Sequence, residues 1–233
     1  MYNAHKSIMK QIFTVILIII CYSCTKKIVQ LPETTNQDIT EIMDVSPVYM
    51  FYDEETDSIE FNRNNMISTT NWLVNIDKRL TLKQILPHLQ YLQEKRHGDG
   101  MHKNESARNY FTCNNTVLKN LSFIDFTDIM FESDSESLNS NDTIPEDHFG
   151  ILRFISSELV EIKSVYEEDI LIEESSFDHL LDEINELMKS EKITLTLAFK
   201  SSLIFQDYIS IKSKILAIKS ENLEILNQEI IYN

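Results

Sequence analysis

Residues 132–147 divide the chain. They hold six acidic side chains and no basic one, with serines interleaved and Pro145 near the end. A stretch of that composition cannot bury enough apolar surface to offset the entropy of ordering it. The division gives a first α+β module over 47–132, an acidic linker over 133–149 and a second α+β module over 150–233. With 233 residues in all, each module has the size of a small domain. Only 3 glycines and 4 prolines occur, which excludes linker-rich and collagen-like architectures.

The second module carries the clearer pattern. Ile151–Ile162 and Val165–Ile172 are β-branched, partly alternating runs that predict a hairpin. Ser175-Ser176-Phe177-Asp178 offers a capped helix start. Phe177, Leu180, Leu181, Ile184, Leu187 and Met188 then fall on one helical face. Ile193, Leu195, Leu197 and Phe199 alternate with Thr194, Thr196 and Ala198, the pattern of a strand with one buried face. Tyr208, Ile211, Ile215 and Ile218 mark a second amphipathic helix, and Leu223–Tyr232 a closing strand. The expected order is strand, strand, helix, strand, helix, strand, a two-layer helix-on-sheet sandwich.

In the first module, Val48–Tyr52, Ser58–Phe61 and Trp72–Ile76 predict strands. Thr81–Arg96 predicts a helix with Leu82, Ile85, Leu86, Leu89 and Leu92 inward, kinked or started near Pro87. Tyr110–Cys113 and Leu121–Phe131 predict further strands.

The amino terminus reads as an export signal. Lys6 and Lys10 precede an uncharged run from Ile12 to Cys21, followed by Tyr22, Ser23 and Cys24. A basic start, a short apolar stretch and a small residue form a secretory signal. The apolar stretch is shorter than the ~20 residues a spanning helix needs. Ser23-Cys24 resembles the lipobox of bacterial lipoproteins, although Cys21 stands where that family usually has Leu, Ile or Val. The resemblance implies cleavage before Cys24 and lipidation of Cys24. Residues 1–23 are then a signal peptide and 24–46 a polar tether. The mature protein is expected on the periplasmic side of a membrane or at the cell surface, lipid-anchored in the bacterial envelope. Cys113 then remains as a lone cysteine, expected as a small buried hydrophobe.

The formal net charge of −16 opposes binding to nucleic acid, which needs a basic stripe. The partners expected instead are the membrane, through lipid on Cys24, and other envelope proteins or a second copy of the chain.

Val29-Gln30-Leu31-Pro32 follows the apolar segment, Val48–Phe61 supplies a strand pair, and Leu80-Thr81-Leu82 leads into a helix. Together with the element order of 150–233, this pattern resembles the periplasmic domain of the ExbD/TolR family. The resemblance implies a role in envelope transport or upkeep. Family members carry an aspartate inside their membrane helix, and Ile12–Cys21 has no acidic residue, so no proton-relay residue carries over.

No Gly-x-Ser-x-Gly elbow, phosphate loop or dinucleotide fingerprint occurs, and no cofactor is implied. His97-Gly98-Asp99-Gly100-Met101-His102 is the one ligand-like loop. His97, Asp99 and His102 are candidate metal ligands, but a closed structural site needs a fourth. Arg96 and Lys103 also repel a cation there. The favoured reading of the same residues is a helix end, with Gly98 as cap and Lys95, Arg96 and His97 at the negative pole. Glu158–Glu191 carries twelve acidic residues against two basic ones, the make-up of a solvated face. Lys200, Lys212, Lys214 and Lys219 make the second half of the last module locally basic. Lys212 and Lys219, seven apart, share a helix face, read as a plain exposed face ahead of one that meets the acidic helix of another copy or protein. The expectation is a binding or scaffolding lipoprotein. The alternative is a secreted hydrolase or metal-binding protein centred on His97–His102.

Overall fold

The computed structural model of the chain describes residues 27–98, 104–134, 150–166, 169–189 and 192–233. The expected signal run, Cys24, Asp99 and His102 lie outside these residues, as does the acidic stretch 135–149.

The fold is mixed α/β. Its elements are β1 (Glu33–Thr34), β2 (Val45–Asp53), β3 (Ser58–Asn62), β4 (Asn71–Ile76), α1 (Leu82–His97), β5 (Asn109–Asn115), β6 (Asn120–Asp125) and β7 (Met130–Asp134), followed by β8 (Gly150–Phe154), β9 (Leu159–Tyr166), β10 (Asp169–Ser176), α2 (Phe177–Leu187), β11 (Ile193–Lys200), α3 (Phe205–Leu216) and β12 (Leu223–Tyr232). They form two mixed six-stranded sheets, which make roughly two modules.

In the first sheet β2 and β3 are an antiparallel hairpin, β2 and β4 are parallel, and β4 and β5 are parallel. β6 runs antiparallel along Tyr110–Asn115 of β5. β1 therefore takes the opposite side of β5, pairing parallel with Asn114 and Asn115 beyond the end of β4. The expected tether is docked here over much of its length. Lys78 N donates to Gln30 O, Asn114 N to Pro32 O and Phe123 N to Ile39 O, at 2.8–2.9 Å. These bonds place the segment along the first sheet because its carbonyls complete donors that the sheet otherwise leaves open.

α1 starts at Leu82, at the head of the expected range and not near Pro87. Thr81 accepts from Gln84 N while the Gln84 side chain accepts from Thr81 N, a reciprocal capping box. Leu82, Ile85, Leu86, Leu89 and Leu92 are buried. The helix runs through Pro87, whose missing N–H leaves one carbonyl a turn earlier without its usual donor. Gly98 follows with φ of −64°. Its need for glycine is steric, since a Cβ there would lie 2.8 Å from the Glu94 carbonyl oxygen that its own N–H binds.

Two long apolar runs are broken by local side-chain bonds. Leu121–Phe131 ends as a strand at Asp125, whose Oδ1 accepts from Thr127 N and Thr127 Oγ1. This turn releases the chain, and β7 joins the second sheet beside β12 in parallel. Ile151–Ile162 turns at 155–158, where Ser156 Oγ accepts from Glu158 N and Leu159 N. Three strands therefore precede α2 rather than two, and β8, β9 and β10 form an antiparallel meander. The second sheet is ordered β10-β9-β8-β11-β12-β7.

One hydrophobic core joins both sheets. Its spine is aromatic. Phe177 of α2 meets Phe154 at 5.0 Å, Phe154 stacks on Phe199 at 5.2 Å, and Phe199 meets Tyr208 of α3 at 5.0 Å. Tyr208 reaches Phe111 of β5 at 6.0 Å, and Phe111 stacks on Phe126 at 3.9 Å. The helix starts are cross-linked too. Ile204, at the cap of α3, makes no side-chain cap bond. Phe205 N donates to Leu80 O and Gln206 N to Lys78 O, while Leu82 N donates to Leu203 O. Each helix thus has orphan amides satisfied by the segment leading into the other.

Candidate functional site

The structure buries an ion pair beneath α3. From Leu195↔Ile225 to Leu197↔Glu229, β12 uses four residues where β11 uses two. The extra residues bulge outward, and Glu229 returns on the inward face together with Ile231. Bulges of this kind commonly re-aim a side chain beside a functional site. Tyr208 and Lys212, four apart on α3, present one helical face to Glu229. Lys212 Nζ pairs with Glu229 Oε1, and Tyr208 OH donates to Glu229 Oε2 at 2.7 Å. The Lys212 and Glu229 side chains are only 7% and 1% exposed. Burial, then the charge and bond of Glu229, push the Tyr208 phenol well above its ordinary value. Tyr208 is therefore a standing donor.

This group forms one wall of a cavity of about 270 Å³ where the two modules meet. The opposite wall holds Arg108, which pairs with Asp125 through Nε and with Asp128 through Nη2. These bonds, only partly opposed by burial, push its guanidinium above the ordinary value. Phe126, Ile129, Leu216 and Ile225 supply apolar lining. Two cations face three carboxylates, which leaves one net negative charge.

A larger cleft of about 440 Å³ beside β1 is lined by hydroxyls. They already serve one another and the backbone. Thr34 Oγ1 lies 2.7 Å from Ser213 Oγ, and Ser210 Oγ donates to Gln206 O.

The two sides of the first sheet differ. Val48, Met50, Val74, Ile76 and Phe111 face the core. By register, Val45, Pro47, Tyr49 and Phe51 of β2, Leu73 of β4 and Tyr110 of β5 share the outer face. Val45 is exposed, and the other five are half-buried. Tyr49 and Phe51 stack at 5.5 Å. At the second sheet, the outer edge of β7 is closed by α1. Phe131 N donates to Gln93 Oε1, and Gln90 Nε2 donates to Phe131 O. Such cover is how proteins protect a strand edge.

Of the expected metal ligands only His97 is described. Its Nε2 sits 3.0 Å from Thr127 O. Among the described residues no group of three His, Cys, Asp or Glu side chains is placed to hold a metal. Cys113 is fully buried in the core, and burial pushes its thiol up to about 12, which makes it a poor nucleophile. The basic face expected of the last helix is not one face. α3 ends at Leu216, Lys212 points into the core and Lys219 pairs with Asp38 of the docked segment. Lys214 and Lys219 are exposed as expected, Lys214 paired with Asp178. Charge patterning missed the site because Lys212 looks like any helix lysine until Glu229 is known to face it. The available signal was Glu229 itself, an acid on the inward phase of a strand that ends in Ile230-Ile231-Tyr232.

The described site thus belongs to a mixed α/β protein with a buried ion-pair cavity and an outer sheet face on which apolar side chains of β2, β4 and β5 lie beside Glu60, Asn62, Asn71 and Asn75. Compared with known proteins, the chain matches no family model, no curated protein sequence and no solved structure.

Proposed function

We propose that the chain is a bacterial envelope lipoprotein that acts by binding or scaffolding. It is cut before Cys24 and held by lipid on that cysteine. In this reading each module is a two-layer helix-on-sheet sandwich, and the partners are other envelope proteins or a second copy. A link to ExbD/TolR-type transport rests on the element order from β9 to β12 alone, to which β8 adds a strand outside the family pattern. The observation that carries the binding role is the outer face of the first sheet. Contiguous half-exposed apolar side chains on a protein of this net charge mark an interaction surface rather than a solvated one. The hydrolase or metal-binding alternative has less support, because the one described ligand candidate, His97, already lies beside a backbone carbonyl.

Two measurements test the reading. Growth with an alkyne fatty acid should label the wild type and leave Cys24→Ala unlabelled. A photo-crosslinking residue at Tyr49 should give discrete adducts in the native envelope, and the same residue at exposed Glu94 on α1 should not. Equal labelling of both proteins would remove the anchor. Equal adducts at both positions would remove the binding face.

A further inference from the structure

We propose that the junction cavity binds a small neutral molecule carrying an amide carbonyl on a short branched apolar body. The inference stands on α3 and β12 and is independent of the outer-face reading.

An ammonium group has three donors. Among the described residues Lys212 Nζ has one partner, Glu229 Oε1. Both oxygens of Glu229 have a partner, since the other takes the Tyr208 hydroxyl. Two donors of Lys212 are left in a position where the side chain is 7% exposed. Unmet donors at that depth are costly, and charged ones more so. Lys212 lines the cavity, so an acceptor placed inside the cavity is what these donors lack.

Charge then selects among acceptors. A carboxylate would meet Lys212 but also Asp125, Asp128 and Glu229, with the balance already negative. A cationic ligand would bring its own donors against the spare donors of Lys212. A neutral carbonyl avoids both conflicts. Phe126, Ile129, Leu216, Ile225 and Leu226 give the cavity an apolar wall, and Thr127 and Asn227 add neutral polar groups beside the charged ones. The apolar wall receives an aliphatic body, and the N–H groups of an amide have Asn227 and the carboxylates as acceptors. The volume of about 270 Å³ is at the low end for ligand pockets. At ~30 Å³ per water-sized group it suits a ligand of roughly six to nine heavy atoms. The pair itself supports the reading. A buried ion pair is often no more stabilising than a well-packed apolar substitute, so its presence beside a cavity points to recognition.

The test uses three isosteres on the full chain: isobutyramide, isobutyrate and isobutylammonium. Each is titrated while the Lys212 ammonium nitrogen and the backbone amides of Leu216 and Leu226 are followed by NMR. Isobutyramide should shift these signals saturably, with a Kd of about millimolar for so few atoms. The two charged isosteres should bind at least tenfold more weakly. Leu216→Trp fills the cavity from the surface without touching the ion pair, and should weaken isobutyramide at least tenfold. Lys212→Met combined with Glu229→Gln removes the donors and should do the same. Absence of a saturable shift, equal binding of all three compounds, or binding unchanged in both variants would each overturn the proposal.

Discussion

Arg96 is where one truncation should cost most. It lies on the last turn of α1, 5% exposed, against the face of Trp72 with Cζ 3.8 Å from the ring centre. Its fork is filled by neutral oxygens. Nε donates to Asn109 Oδ1 at 2.8 Å, and Nη1 and Nη2 donate to Ser68 O and Thr70 O at 3.1 Å. The guanidinium thus ties the end of α1 to the loop before β4 and to the start of β5. Burial pushes it down to about 10, a drop worth about 3 kcal/mol of desolvation. Three bonds from a charged donor contribute roughly 1.5–3 kcal/mol each, and a desolvated cation–π contact contributes about 2. The balance favours the folded state by several kcal/mol. Arg96→Met keeps the stem and removes every donor, and should cost about 4 kcal/mol. Arg96→Lys cannot reach three oxygens from one point charge and should cost about 3. Urea unfolding, read by the emission of Trp72, the only tryptophan in the chain, and by far-UV circular dichroism, measures both. A loss below about 1 kcal/mol for Arg96→Met, with unchanged Trp72 emission, would refute the account.

Four further perturbations have signs set by the structure. Burial raises the Asp77 carboxyl, but bonds from the Arg79 side chain and from the Gln30 and Arg79 amides outweigh it and leave a net lowering. The stability this provides is present above the ordinary carboxylate range and lost as pH falls below about 4. Asp77→Asn should therefore cost about 1–2 kcal/mol at pH 7 and clearly less at pH 3, and an equal cost at both would count against it. Cys113 should resist Ellman's reagent until the chain unfolds, and Cys113→Ser should cost about 1–3 kcal/mol by burying a hydroxyl; peptide mapping of labelled Cys113 under native conditions would contradict this. Thr81→Ala should cost about 1 kcal/mol through the lost capping box, seen as a lower urea midpoint at constant slope. Glu229→Leu alone should cost about 3–5 kcal/mol by stranding Lys212, whereas Glu229→Leu with Lys212→Met should recover most of the loss; a simple sum in the double-mutant cycle would mean that the two groups do not interact.

How much was legible follows from the range over which each feature is determined. α1 was readable because its inward Leu82, Ile85, Leu86, Leu89 and Leu92 all lie within four turns. β11 was readable because its alternation is local. The break of Leu121–Phe131 was missed although its cause is local, because the Asp125 side chain competes with the strand by caging Thr127. Apolar periodicity does not register that competition. Lys212 was misread and Glu229 passed over because their pairing depends on a two-residue bulge in β12, and nothing in either segment announces the other. His97 and Gly98 offered ligand-type residues but read better as a helix end, which is what they form. The steric need for Gly98 against Glu94 O belongs to the latter.

The pairing of β7 changes what a module means in this chain. β7 follows β6 after one turn yet supplies the strand beside β12, roughly a hundred residues later. Its far edge is closed by Gln90 and Gln93 of α1, from the first module. Phe131 on β7 and Phe126 in the turn before it pack into the aromatic spine that runs through Tyr208. Residues 150–233 alone would therefore leave the β12 edge unpaired and remove Phe111 and Phe126 from the core beside Tyr208. The amides of Phe205 and Gln206 would lose the carbonyls that cap them. The two sheets meet through shared hydrogen bonds and one core, so the cavity between them is lined from both. The geometry that holds Lys212 against Glu229 then depends on the first module staying docked, and any ligand there would stabilise the junction itself.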